Sequence, residues 1–155
     1  SYTFHGRDVY AYTGARLASD TIDMEGVGPK MELDEVVQLE LFGCKEIENG
    51  VMGQVDILDV RFGSLWTSIP YEEFKKCGFE FGDTVLVTIY NRDKIAYTGQ
   101  IVYGRSFADV PVSSPIIYMN SAYHIAVAIN QGSFAKAYGI GVGSDWKITM
   151  QKITK

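Results

Sequence analysis

Asp59 is the residue in this chain whose type and position most call for a chemical explanation. It lies in the stretch Gln54 to Pro70, QVDILDVRFGSLWTSIP, where a strand pattern would place an apolar side chain. Alternate side chains of a strand share a face, so Val55, Ile57 and Asp59 fall in one row. After Arg61-Phe62-Gly63, Ser64, Trp66 and Ser68 face one way and Leu65, Thr67 and Ile69 the other. An unpaired buried carboxylate is costly, so such a residue has a cation, a donor set or a ligand beside it. Residue type alone leaves two readings open: a turn aspartate closing a strand, or an acid held for a ligand.

Other chemistry-bearing residues point to little by spacing. Cys44 and Cys77 lack a CxxC spacing and a companion histidine cluster, which argues against structural zinc. Glu32, Asp34, Glu35, Glu40, Glu46 and Glu48 are interleaved with Val36, Val37, Leu39, Leu41 and Phe42 without the tight loop pattern that calcium requires. They read as the solvated face of an outer strand, with alternation from Val37 to Leu41. His5 is a lone histidine within Phe4-His5-Gly6-Arg7-Asp8.

The elements that must position these residues are mostly short strands. Helical spacing and alanine content predict a short helix from Asp8 to Ser19, weakened by Gly14, since a mid-helix glycine costs about 1 kcal/mol relative to alanine. Gly26, Gly28 and Pro29 mark a connector from Asp20 to Lys30, and a boundary is placed near Lys30. Asn49-Gly50 predicts a turn before a strand from Met52 to Asp59. A helical turn or two follows Pro70, from Tyr71 to Gly78. Thr84 to Tyr90 and Ile95 to Val102 pair across Asn91-Arg92-Asp93-Lys94, Pro115 to Asn120 and His124 to Ile129 pair across Ser121-Ala122-Tyr123, and a last strand runs from Trp146 to Ile153. This spacing indicates a mainly β chain, a barrel or a sandwich rather than a parallel α/β sheet.

Composition bounds the function. With 46% apolar and 21% charged residues, the 155-residue chain is an ordinary globular sequence long enough to bury a core. A net charge of −5 and the lack of a basic stripe argue against nucleic acid. No apolar run approaches the roughly 20 residues of a membrane-spanning helix, so no membrane partner is expected, and reduced thiols in the cytoplasm are the default.

Four motifs carry a resemblance that periodicity does not supply. FHGRD at Phe4 to Asp8, DVRFGSLWTSI at Asp59 to Ile69, SFADV at Ser106 to Val110, and Asn120-Ser121 followed by NQGSFA at Asn130 to Ala135 occur in order and cover essentially the whole chain. Together they resemble the S-adenosyl-L-methionine hydroxide adenosyltransferase family, whose superfamily includes fluorinase and chlorinase enzymes. The resemblance implies an N-terminal α/β domain followed by a C-terminal β-barrel, assembled as a homotrimer with sites between subunits. Residues 1–30 are then the tail of that α/β domain plus connector, a helical remnant whose preceding part is missing here, and residues 31–155 are the barrel.

In the family, water or hydroxide attacks C5′ of S-adenosylmethionine, and adenosine and methionine result. No cofactor or metal is implied, because the sulfonium is already a good leaving group. The resemblance makes His5 the catalytic residue of the set that holds hydroxide; that set's aspartate and arginine belong to the missing region, and Arg7 is implied to be an ion-pair partner within the motif. Asp59 is implied to receive the methionine ammonium, Phe107 to pack on adenine, Ser121 to lie near the methionine carboxylate, and Gln131 to present its backbone to the adenine edge. Ser64 stands where halogenating relatives have an adenine-reading asparagine, and Ala122 where they have an arginine at the carboxylate. Gly6 removes a halide donor that fluoride-using relatives supply as serine, which favours hydroxide. The alternatives are a chloride-using adenosyltransferase and a non-catalytic adenosine-binding or assembly barrel. Trp66 is read as a core residue.

Overall fold

The computed structural model describes residues 2–38 and 42–153. It divides into two compact units, Ser1–Leu39 and Glu40–Lys155. In the first, a π-helical segment Gly6–Ala11 runs directly into α1 (Tyr12–Ala18), matching the helix expected from Asp8 to Ser19, with Gly14 inside α1. Short 3-10 turns follow at Glu25–Val27 and Leu33–Glu35. Of the strand expected from Val37 to Leu41, Val37 has no strand structure, and Leu39 to Leu41 lie outside the described residues.

The second unit is a closed barrel. Its strands are β1 (Lys45–Ile47), β2 (Gly50–Leu58), β3 (Leu65–Pro70), β4 (Thr84–Asn91), β5 (Lys94–Tyr103), β6 (Pro115–Met119), β7 (His124–Ile129) and β8 (Trp146–Lys152). The order β2-β3-β7-β6-β5-β4-β8 closes through pairing of β8 with β2, so seven strands form the ring, and β1 pairs beside the start of β2. Closure leaves no open edge in the ring. All pairings are antiparallel except β5 with β6, whose parallel register Val102↔Ile116 and Tyr103↔Ile117 follows from the long connection between them. Two helices decorate the ring. α2 (Tyr71–Lys76) starts after Pro70 and ends before Gly78, whose φ of +79° suits glycine, and α3 (Phe134–Tyr138) follows β7.

Alternation fills the interior. Val85, Val87 and Ile89 of β4 point inward with Ile101 and Tyr103 of β5, Ile148 and Met150 of β8, and the helix residues Phe74 and Phe134. On β3, Leu65, Thr67 and Ile69 are buried and Trp66 and Ser68 are partly exposed, as the period of two requires.

On β2 the simple alternation fails. Val55 pairs with Thr67, but Ile57 pairs with Trp66 and Leu58 with Leu65, so β2 advances two residues while β3 advances one. Asp56 is the extra residue of a β-bulge. The bulge reverses which side chains face inward: Val55 is fully buried, Ile57 is 52% exposed and Leu58 packs on the core. The row Val55, Ile57 and Asp59 inferred from the sequence therefore does not exist. Asp59 shares a face with exposed Ile57 and leaves the barrel wall.

Candidate functional site

Beyond the bulge, β2 turns into β3 through residues 59–64, and the loop is closed by its own polar groups. Asp59 donates its N–H to the Ser64 carbonyl at 2.9 Å, and Gly63 donates to the Asp59 carbonyl at 2.6 Å. Asp59 Oδ1 accepts from the backbone N–H of Arg61 at 2.9 Å and of Phe62 at 3.3 Å. This is an aspartate turn, the first of the two readings of Asp59. Its Oδ2 has no hydrogen-bond partner among the described residues, and the side chain lines a cleft of about 720 Å³.

Three segments of the barrel build that cleft: the loop after β2, the turn carrying Phe107, and the connection from β7 into α3. The Phe107 turn, Phe107–Asp109, caps itself. Ser106 Oγ accepts from the Ala108 N–H at 3.3 Å, while Asp109 Oδ2 accepts from the N–H of Arg105 at 2.7 Å and of Ser106 at 3.3 Å. The Phe107 ring rests tilted on Tyr118, centroids 5.1 Å apart, and remains 36% exposed toward the cleft. Asn130 ties this turn to β7 by donating from Nδ2 to the Val110 carbonyl at 2.9 Å. Gln131 adopts φ +58°, which bends the chain out of β7 toward Ser133, whose Oγ accepts from the Lys136 N–H at 3.2 Å as the cap of α3.

Asp59, Phe107 and Gln131 thus meet in one cleft. Ser64, next in the chain after Gly63 of the lining, does not itself line the cleft: the residue is fully buried and its hydroxyl has no partner among the described residues. Ser121 is elsewhere. It sits on the exposed turn between β6 and β7, while the cleft lies at the other end of β7, a six-residue strand about 20 Å long at the strand rise per residue. His5 belongs to the first unit, exposed at the N-terminal end of the π-helical segment, with no side-chain capping bond. Arg7 pairs there with the adjacent Asp8, which lowers the Asp8 pKa and raises that of Arg7.

Phe62, Arg61, Asn130, Ser133 and Lys136 also line or brace the cleft and received no role from the sequence. Arg61, Phe62, Asn130 and Ser133 lie within the same two motifs as Asp59 and Gln131, and that clustering was the available signal. Trp66, read as a core residue, is only partly buried, and its indole Nε1 is buried without a partner among the described residues.

Both thiols are disfavoured as thiolates. Burial, reinforced by Glu73 and Cys77, pushes the Cys44 thiol up to about 11, and burial likewise raises Cys77. Among the described residues no group of three or more His, Cys, Asp or Glu side chains could hold a metal ion, and no helix is long and apolar enough to cross a membrane.

A cleft with an aromatic platform and a carboxylate oxygen open among the described residues is suited to a nucleoside-like ligand carrying a cation. A family model described as SAM hydroxide adenosyltransferase C-terminal domain matches residues 53–147. The chain is similar to a fluorinase of Actinopolyspora mzabensis, 27% identical over 95% of this chain and 48% of that protein. It is also similar to an (R)-S-adenosyl-L-methionine hydrolase of Thermus thermophilus, 33% identical over 91% of this chain and 47% of that protein. Among solved structures, an uncharacterized conserved protein from Thermotoga maritima superposes with a TM-score of 0.77 at 26% identity, covering 98% of this chain and 54% of that one. The chain therefore spans about half the length of the relatives it matches. Because the matched region takes in more than half of the chain and all three segments of the cleft, the chain belongs to the SAM hydroxide adenosyltransferase family.

Proposed function

We propose that the protein of which this chain is a part hydrolyses S-adenosyl-L-methionine to adenosine and L-methionine, and that the cleft of Asp59, Phe107 and Gln131 receives the substrate. The convergence of these three residues in one cleft is the observation that carries the reading. Phe107 packs on adenine, the Gln131 backbone and the buried Ser64 hydroxyl meet its polar edge, and the open Oδ2 of Asp59 accepts from the methionine ammonium. Ser121, expected near the methionine carboxylate, lies at the other end of β7 and outside this cleft, and the homotrimer with sites between subunits is part of the same proposal.

The chemistry is a displacement at C5′. A C5′–O bond forms as the C5′–S bond breaks, the electron pair of the broken bond goes to sulfur, and the attacking water gives up one proton. The sulfonium becomes the neutral thioether of methionine, so the reaction requires positioning and desolvation of the nucleophile but no cofactor. His5 helps hold that nucleophile, with groups from an N-terminal α/β domain. Free Cys44 and Cys77 suit the reducing cytoplasm in which we place the protein.

A second reading, a chloride-using adenosyltransferase, is favoured by one observation, the similarity to fluorinases as well as hydrolases. Incubating the full-length protein with S-adenosylmethionine in chloride buffer and separating the products decides between them. Adenosine with an equal amount of methionine supports hydrolysis, and 5′-chloro-5′-deoxyadenosine as the main product overturns it. Binding of adenosine without turnover by the full-length protein would favour a non-catalytic barrel.

A further inference from the structure

We infer that Asn130 is a positioning residue for adenine binding: by holding the backbone at Val110, it fixes where the Phe107 ring stands in the cleft. The inference deepens the proposed function and rests on its placing of adenine on Phe107. The turn that carries Phe107 is shaped from within, since Asp109 Oδ2 accepts from the N–H groups of Arg105 and Ser106, and Val110 donates its N–H to the Phe107 carbonyl at 3.4 Å. Those bonds set the form of the turn but not its place on the barrel. Among the described residues, one hydrogen bond joins segment 105–112 to anything outside the β5–β6 connection, and it runs from Asn130 Nδ2 to the Val110 carbonyl at 2.9 Å.

Asn130 is itself clamped by its main chain. Its N–H donates to the Ser114 carbonyl at 2.9 Å and its carbonyl accepts from the Ser113 N–H at 2.8 Å, so the side chain leaves from a backbone held on both sides. The next residue is Gln131, whose φ of +58° turns the chain out of β7 along the cleft. Asn130 therefore ties the segment carrying the aromatic platform to the segment carrying the backbone edge. Val110 gives the bond a firm seat: its side chain is buried with Ile116 and Ala128, and Tyr118, whose ring lies 5.1 Å from that of Phe107, packs against the same cluster. Residue type matters as well. The carbonyl needs a donor, and an amide supplies one at a reach that a serine lacks, whereas an aspartate of the same shape would set a second acceptor against it. Loss of the donor leaves the Val110 carbonyl unpaired beside buried groups, so the turn is expected to shift toward water and carry Phe107 with it.

The test is calorimetric titration of the full-length protein with adenosine, arranged as a cycle of Asn130→Ala, Phe107→Ala and the double variant, with an unfolding curve for each. Asn130→Ala is expected to weaken adenosine binding about fivefold and Phe107→Ala about tenfold. The double variant is expected to match Phe107→Ala within about twofold, because a residue that acts through Phe107 has nothing to position once the ring is gone. In turnover of S-adenosylmethionine, Asn130→Ala should raise KM and leave kcat within about twofold, the pattern of lost binding rather than lost chemistry. Should Asn130→Ala not fold, Asn130→Asp takes its place: it keeps the shape and removes the donor, and adenosine, being neutral, is the ligand least affected by the added charge. Losses that multiply in the double variant, unchanged affinity in Asn130→Ala, or a fall in kcat at constant KM overturns the inference while leaving the adenosine site intact. Unchanged affinity in Phe107→Ala overturns it by removing the platform. Failure of the unsubstituted protein to bind adenosine overturns the underlying reading and this inference together.

Discussion

Gly63 and Ser133 approach so closely that a Cβ built on Gly63 would lie 2.4 Å from the Ser133 Cβ and 1.9 Å from its Oγ. The pair locks the loop after β2 onto the start of α3, and Ala135 donates its N–H to the Gly63 carbonyl at 3.1 Å across the same junction. Gly63 also has φ +65°. Gly63→Ala is expected to destabilise the protein by about 1–3 kcal/mol through overlap and a left-handed backbone, measured by urea unfolding. Adenosine affinity should fall with it, because both walls of the cleft meet at this contact.

Asp59 has two separable tasks. In Asp59→Asn the side-chain carbonyl oxygen can still accept from the N–H groups of Arg61 and Phe62, while the open oxygen is replaced by a donor. Stability should stay within about 0.5 kcal/mol of the parent, and S-adenosylmethionine binding should weaken by about 1.5–3 kcal/mol, the range for a hydrogen bond to a charged group. Asp59→Ala removes the turn as well and should lose both binding and stability. Titration and unfolding of the two variants side by side separate the tasks; an unchanged affinity in Asp59→Asn leaves Asp59 as a turn residue alone.

Ser64 offers a contrasting case, since its buried hydroxyl has no hydrogen-bond partner among the described residues. Ser64→Ala removes an unmet hydrogen-bonding group, so its folding stability is expected to be unchanged or raised by up to about 1 kcal/mol. If the hydroxyl meets adenine, the same variant loses about 0.5–1.5 kcal/mol of adenosine binding, a sign opposite to the stability effect. A variant that is destabilised and binds adenosine normally would make Ser64 a packing residue.

Asp56, the bulge residue, should impose a pH dependence on stability. Burial raises its pKa more than the hydrogen bond from Gln54 and the nearby His124 lower it. The folded state then holds the proton more tightly than the unfolded chain. The stability this contributes is present below the unfolded aspartate pKa, about 3.9, and is lost as pH rises through the folded value. Asp56→Asn should match the parent in acid and become relatively more stable toward neutral pH, with denaturant midpoints compared across that range. A difference that does not vary with pH would contradict the assignment.

Gly6 tests the choice of nucleophile without a steric penalty, because a Cβ there meets nothing within 4 Å. Gly6→Ser in the full-length protein is expected to fold normally and, by restoring a hydroxyl donor, to raise any halide-dependent product relative to adenosine. An unchanged product ratio in halide buffer would show that Gly6 does not select the nucleophile.

Strand positions were legible in the sequence because β-branched alternation and turn residues act locally: Val85, Val87 and Ile89 show their inward face directly, and Asn49-Gly50 marks its turn. The bulge at Asp56 was not legible. It depends on how β2 registers against β3, a long-range choice that leaves no mark on β2 itself, and it reverses the facing that alternation alone gives Asp59. The helix α3 was also missed, since its five residues carry too few turns to show a helical period. Motif resemblance brought Asp59, Phe107 and Gln131 to one cleft, but it gave no role to Lys136, which reaches the cleft only through the bend at Gln131.

Attack of hydroxide on C5′ is decided by turnover of S-adenosylmethionine by the full-length protein in water enriched in heavy oxygen, with mass analysis of both products. The label is expected in the 5′-hydroxyl of adenosine and not in methionine. Label in an amino-acid product, or adenosine released without label, would contradict it.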